Sequence, residues 1–153
     1  MSRVARAARV ASRTRPEEIT AAKTLTEADT GKLFLINYNA GATIEVTLPP
    51  VREGAFFRFL TMNGSLAAAS SQVDIVTSSG AGTMKGTLLC FEYAGSSADV
   101  EVATNKDDGT DTKVSLIGQT IHVGSYVDIY CDGTNWQASG VIVASARTKA
   151  VFA

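Results

Sequence analysis

The feature that most constrains this chain is a recurring two-residue alternation of apolar and polar side chains, cut at short intervals by glycine-bearing turns. In TIEVTL (43–48), Ile44, Val46 and Leu48 fall on one parity, and Thr43, Glu45 and Thr47 on the other. In YVDIYCD (126–132), Val127, Ile129 and Cys131 oppose Tyr126, Asp128 and Tyr130. Successive side chains of an extended strand point to opposite faces, so the pattern suits a sheet buried on one side. Further segments of this kind are LFLIN (33–37), FFRFLTM (56–62), VDIVT (73–77), TLLCFEY (87–93), ADVEVAT (98–104), KVSLI (113–117), TIHVG (120–124), NWQASG (135–140) and GVIVA (140–144). Their spacing of about 8–12 residues is that of sandwiches and barrels.

The punctuation agrees. Thr30-Gly31, Ala40-Gly41, Asn63-Gly64, Asp108-Gly109 and Asp132-Gly133 supply the positive φ that tight turns demand. Pro49-Pro50 closes the strand before it, because proline cannot donate to a ladder. Helix-compatible residues are confined to the first 15 positions and to TLTEADTG (24–31), where Thr24 and Glu27 form a capping pattern and Gly31 a stop. No repeat of fixed period emerges. The expectation is an all-β fold: one sandwich- or barrel-like domain, of jelly-roll or tulip-like kind, over residues 19–153, preceded by a basic arm over 1–18. A chain of 153 residues buries roughly 70% of its unfolded surface, so it needs neither disulfide nor metal to fold. No apolar run approaches the ~18–20 residues of a membrane helix.

The charge is unevenly placed. Arg3, Arg6, Arg9, Arg13 and Arg15 occur in the first 15 residues with no acid among them. They are five of the 14 Lys+Arg, which leaves nine basic residues against 15 Asp+Glu in the rest of the chain. If the arm is helical, the intervals from Arg3 to Arg13 place four guanidinium groups on one face, with Val4, Ala7, Ala8 and Ala11 opposite. An Ala-rich apolar side offers little area to a membrane surface. Three readings compete for this segment: a solvated terminus, an arm docking on acidic protein surface through Arg–carboxylate pairs, and an Arg-rich mitochondrial presequence. Nucleic acid is disfavoured, because the body is acidic and no RNA-binding aromatic motif accompanies the arginines. No apolar stretch of secretory type follows the charged start.

Chemistry-bearing residues are few. His122 is the single histidine; in TIHVG it shares a face with Thr120 and Gly124, the less buried one. No GxSxG accompanies it, so no nucleophilic triad is legible. Cys90 and Cys131 sit inside candidate strands without CxxC spacing and read as small buried hydrophobes, with an inter-strand bridge left open. The run Asn105-Lys106-Asp107-Asp108-Gly109-Thr110-Asp111 invites a calcium loop, but position 12 would fall on Leu116 where an EF-hand requires glutamate. There is no P-loop and no GxGxxG. These observations give no catalytic residues, no metal site and no cofactor, so the chain is read as a non-enzyme.

Three stretches taken together carry a resemblance. LTEADTGKLFLINYNAGATIEVTLPP (25–50) joins an acidic turn, a strand, a Gly-Ala linker and a Thr-rich strand closing on Leu-Pro. FFRFLTM follows Glu53-Gly54, and GSYVDIYCDGTNWQASG (124–140) pairs a strand with an Asp-Gly-Thr-Asn turn and Trp136 just beyond it. The arrangement resembles the head decoration, or cement, proteins of tailed bacteriophages, over about residues 24–142. Asp132, Gly133 and Trp136 are then fold-defining, with Trp136 covering the end of the sandwich. The resemblance implies a structural homotrimer on the outer surface of the capsid, seated over junctions between major capsid protein subunits and stabilising the shell. It also implies an N-terminal arm, here Arg3, Arg6, Arg9, Arg13 and Arg15, that reaches into the shell or a neighbouring copy. Such a protein takes no nucleic acid, membrane or small-molecule substrate as partner and is made in the host cytoplasm. Related β modules occur in phage tail fibres, so a fibre or receptor-binding module is the alternative. Phe56, Phe57 and Phe59 are expected in the core before any interface.

Overall fold

The computed structural model describes residues 16–62, 66–68, 70–80, 82–94, 97–104, 110–118, 121–144 and 150–153. The arm arginines Arg3 to Arg15 and most of the acidic run 105–111 lie outside the described residues.

The first six strands alternate between two sheets. β1 (Glu17–Ile19), β3 (Leu33–Ile36) and β5 (Phe56–Thr61) lie side by side and parallel in one. β2 (Lys23–Thr24), β4 (Thr43–Thr47) and β6 (Gln72–Val76) do the same in the other. A parallel pair needs a long crossover, usually a helix; here each crossover is a strand of the facing sheet. Glu17 pairs with Phe34 but Leu33 with Arg58, and Lys23 with Val46 but Thr43 with Gln72. The coils therefore lengthen as the chain winds, which is why no fixed repeat is visible in the sequence.

The second half completes both sheets. β7 (Met84–Ala94) and β8 (Ser97–Thr104) form an antiparallel hairpin. β9 (Lys113–Ile117) pairs antiparallel with β6, and β10 (Tyr126–Cys131) inserts beside β5. β11 (Trp136–Ala144) pairs antiparallel with β10 and parallel with β7, and β12 (Ala150–Phe152) flanks β9. The result is a seven-stranded sheet, β1-β3-β5-β10-β11-β7-β8, over a five-stranded one, β12-β9-β6-β4-β2. The protein is an all-β sandwich, as the alternation requires. Its sheets are mixed, whereas a jelly roll is antiparallel.

The core lies between the sheets, where Phe34, Phe57, Phe59, Val127, Ile129 and Trp136 from one meet Val46, Val73, Ile75, Val114 and Leu116 from the other, all buried. Phe34 stacks on Phe59 at 5.4 Å between centroids, and Phe57 lies 5.9 Å from Trp136. Gly86 is a point of close backbone approach: its φ is +137° and an added Cβ would fall 1.8 Å from the Ala138 carbonyl oxygen. Any larger residue there would force β7 away from β11.

Several local expectations change. TIHVG is not a strand in its described part; Ile121 makes one isolated bridge to Ala144, and residues 123–124 form a turn. NWQASG and GVIVA merge into the single strand β11, because Gly140 stays in register with Val127. Glu17 and Glu18, assigned to the arm, form β1 with Ile19. The helical turn in TLTEADTG is a 3-10 helix, Glu27–Asp29, whose capping box joins Thr26 and Asp29 in place of Thr24 and Glu27. Thr24 is unavailable for the cap because it pairs with Thr47 in β2.

Candidate interaction surface

The fold-defining hairpin is built as its residues suggest. Asp132 Oδ1 accepts the backbone N–H groups of Thr134 at 2.8 Å and Asn135 at 2.7 Å, and Oδ2 accepts from the Gln137 amide at 2.9 Å. These donors, the Asn135 and Thr134 N–H groups foremost, hold the Asp132 carboxyl below its usual range. Gly133 turns the chain at φ +95°. Trp136, the residue expected to cover the end of the sandwich, is fully buried within it, and its Nε1 meets no acceptor among the described residues. Its role is packing.

The other chemistry-bearing residues stand apart from one another. His122 is exposed, as its parity suggested, but Val123, expected on the buried side, is 64% exposed because the segment turns. Cys90 and Cys131 are buried free thiols on β7 and β10, with β11 between their strands. The Cys131 Sγ accepts the Arg52 backbone N–H at 3.2 Å. Among the described residues, no three His, Cys, Asp or Glu gather as a metal site.

Two shallow clefts open at the end of the sandwich where β3 and β5 begin. One, of about 300 Å³, is lined by Glu27, Thr30, Arg52, Glu53, Gly54 and Ala55. The other, of about 350 Å³, is lined by Gly31, Lys32, Leu33, Phe56 and Arg58. Their charges are largely engaged with each other or with nearby residues. Arg52 pairs with Glu27, Lys32 with Asp29 and Glu17, and Arg58 with Asp128. Burial alone would raise the Asp29 carboxyl, but the Lys32 ammonium and the Thr26 N–H and hydroxyl bring it down to about 2. Saturated ion pairs of this kind anchor loops; neither cleft is lined by a histidine, cysteine or serine.

The outer face of the seven-stranded sheet is different in character. Inward residues occupy one parity of each strand, and the register sets the outward ones in rows across it. Leu35 lies beside Leu60, Leu60 beside Tyr126, Tyr126 beside Val141, and Val141 beside Leu89. This row crosses β3, β5, β10, β11 and β7 without a charged side chain. A second row sets Val143 beside Phe91. Leu89 is 38% and Phe91 36% exposed. The next row toward the clefts is polar, with Arg58 clamping Asp128 through Nε and Nη2 and Ser139 and Thr87 beyond. The Arg58 guanidinium also lies 5.1 Å from the Tyr126 ring centroid, within cation–π range.

The sequence carried a sign of this face. TLLCFEY and GVIVA are apolar on both parities, whereas TIEVTL and YVDIYCD alternate. An apolar run on both parities marks a strand with two covered faces. Here the sandwich covers only one: Leu88, Cys90, Ile142 and Ala144 are buried, while Leu89, Phe91, Val141 and Val143 face out. Contiguous apolar surface of this kind makes the face a candidate interaction surface.

No family model, curated protein or solved structure matches this chain.

Proposed function

We propose that this chain is a structural virion protein of the capsid decoration kind, which binds the outside of an assembled phage head at junctions between major capsid protein subunits. The observation that carries the reading is its division of labour. A five-arginine segment without acids precedes a sandwich whose seven-stranded sheet carries apolar rows over about half of its outer face. Basic arms pair with carboxylates on a protein surface, and a rigid β platform sets where the arm starts. A ligand that binds only the assembled shell stabilises it by mass action, and linked arms in a homo-oligomer add avidity without any single strong contact. Arg3, Arg6, Arg9, Arg13 and Arg15 are the proposed capsid contacts.

The test is the copy number of this chain relative to the major capsid protein in purified virions, by quantitative mass spectrometry. Copies comparable with the capsid subunit are expected. A handful per particle would move the protein to the tail, as a fibre or receptor-binding module, and absence from virions would end the reading. Deletion of residues 1–15 is expected to abolish binding to undecorated shells; unchanged binding would remove the arm from the mechanism.

A further inference from the structure

We propose that the outer face of the seven-stranded sheet is a self-association surface, covered in solution by a second copy of this chain. The inference deepens the decoration reading and rests on it for its biological setting, but its test requires no capsid.

Area is the first argument. Strands β5, β10, β11, β7 and β8 stand ~4.8 Å apart and rise ~3.3 Å per residue, so their joint outer face covers on the order of 600 Å² in projection. A specific interface of standard size uses about 800 Å² per partner. The face is therefore large enough for a stable contact once side-chain relief is included. Half of it is the apolar pair of rows through Leu60, Tyr126, Val141, Val143, Leu89 and Phe91. Burying such side chains removes apolar surface from water, which favours association.

Charge decides the occupant. On the outward parity of β5, β10, β11 and β7 the charged residues are Arg58, Asp128 and Lys85. Arg58 and Asp128 neutralise one another across the β5–β10 pair, and Lys85 is within electrostatic reach of Asp132 in the neighbouring turn. A face whose opposite charges are already paired can lie against its own copy with little like-charge repulsion. It offers little to a strongly charged partner. The chain's own residues 1–15 carry five arginines, and their apolar residues are mostly alanine, so they do not match it. A second sheet face of the same composition does.

The experiment is sedimentation velocity over a wide concentration series on the full chain and four variants. Leu89→Lys and Val141→Lys each place a charge in the apolar row, and each is expected to weaken association on the order of 30-fold or more. Thr43→Lys, exposed on the other sheet, and deletion of residues 1–15 are expected to leave association unchanged. A thermal melt checks that each variant folds; should either row variant unfold, Ser139→Arg, exposed on the same outward parity, takes its place. A full chain that stays monomeric at every concentration would overturn the proposal. So would an oligomer indifferent to the row variants, and so would one lost only on deletion of the arm, which would make the arm the occupant. Shell binding is scored separately, so failure of the decoration reading leaves an association result standing, and the reverse.

Discussion

The Trp136 indole packs 5.9 Å from the Phe57 ring although strand β10 lies between their own strands β11 and β5. The contact spans three strands on the inner face and links the late hairpin to the early winding. Trp136 is the single tryptophan and is fully buried. Its fluorescence should be blue-shifted in the native protein and move to the red in a single step on urea unfolding. Trp136→Ala should cost about 3–5 kcal/mol, and Trp136→Phe clearly less, since the retained ring still reaches Phe57. A loss under 1 kcal/mol for the alanine variant, read from the urea midpoint, would mean that this residue does not hold the two halves together.

Gly86 and Gly124 both have positive φ, but only Gly86 faces backbone at contact distance, from Ala138. Gly86→Ala should therefore destabilise by about 3 kcal/mol, as overpacking and backbone strain add. Gly124→Ala, with nothing within 4 Å of its added Cβ, should cost only the left-handed strain of about 1 kcal/mol. Equal losses in thermal melts would contradict this distinction.

Acid should weaken the fold through Asp29. Its carboxyl is lowered from 3.8 to about 2 in the folded protein, so the native state prefers the ionised form. The resulting stabilisation is fully present above the unfolded value and fades as pH falls from about 4 through about 2. It amounts to up to about 2 kcal/mol. Asp74 and Asp132 are lowered too and act with the same sign. Asp29→Asn should lose stability at pH 6 and show a flatter decline between pH 4 and 2 than the parent. Parallel pH profiles of the urea midpoint would argue against it.

The exposed Arg58–Asp128 clamp should matter little to stability. Arg58 is about half exposed, so screening limits the pair to about 0.5–1 kcal/mol, less at high salt. Arg58→Ala measured at low and high ionic strength checks this: a loss above 2 kcal/mol that ignores salt would mark a role beyond the pair and its stacking on Tyr126.

Both thiols should be silent in the native protein. Cys131 is fully buried and Cys90 is 7% exposed, so a thiol reagent should label neither until denaturant unfolds the chain, and then both. Rapid labelling of one in the native state would show that its strand opens locally.

The amino-acid sequence by itself determined where most strands run and, where apolar and polar residues alternate, which side faces in. Ile44 and Val46, or Val127 and Ile129, carry that information locally, because side-chain direction in a strand has a period of two and needs no knowledge of the partner. It also announced the Asp132-Gly133 turn, since an aspartate whose carboxylate accepts the N–H groups two and three residues on needs only its immediate neighbours. Short strands escaped: Glu17–Ile19, Lys23–Thr24 and Ala150–Phe152 are too brief to show a period. Only the tertiary structure decided which strands lie together. Glu17 finds Phe34, and Gln137 finds Lys85, through crossovers of unequal length that leave no local turn signal. The apolar outer row was decided there too. Leu35, Leu60, Tyr126, Val141 and Leu89 come from five separate segments, and become one surface only because non-local register sets them side by side.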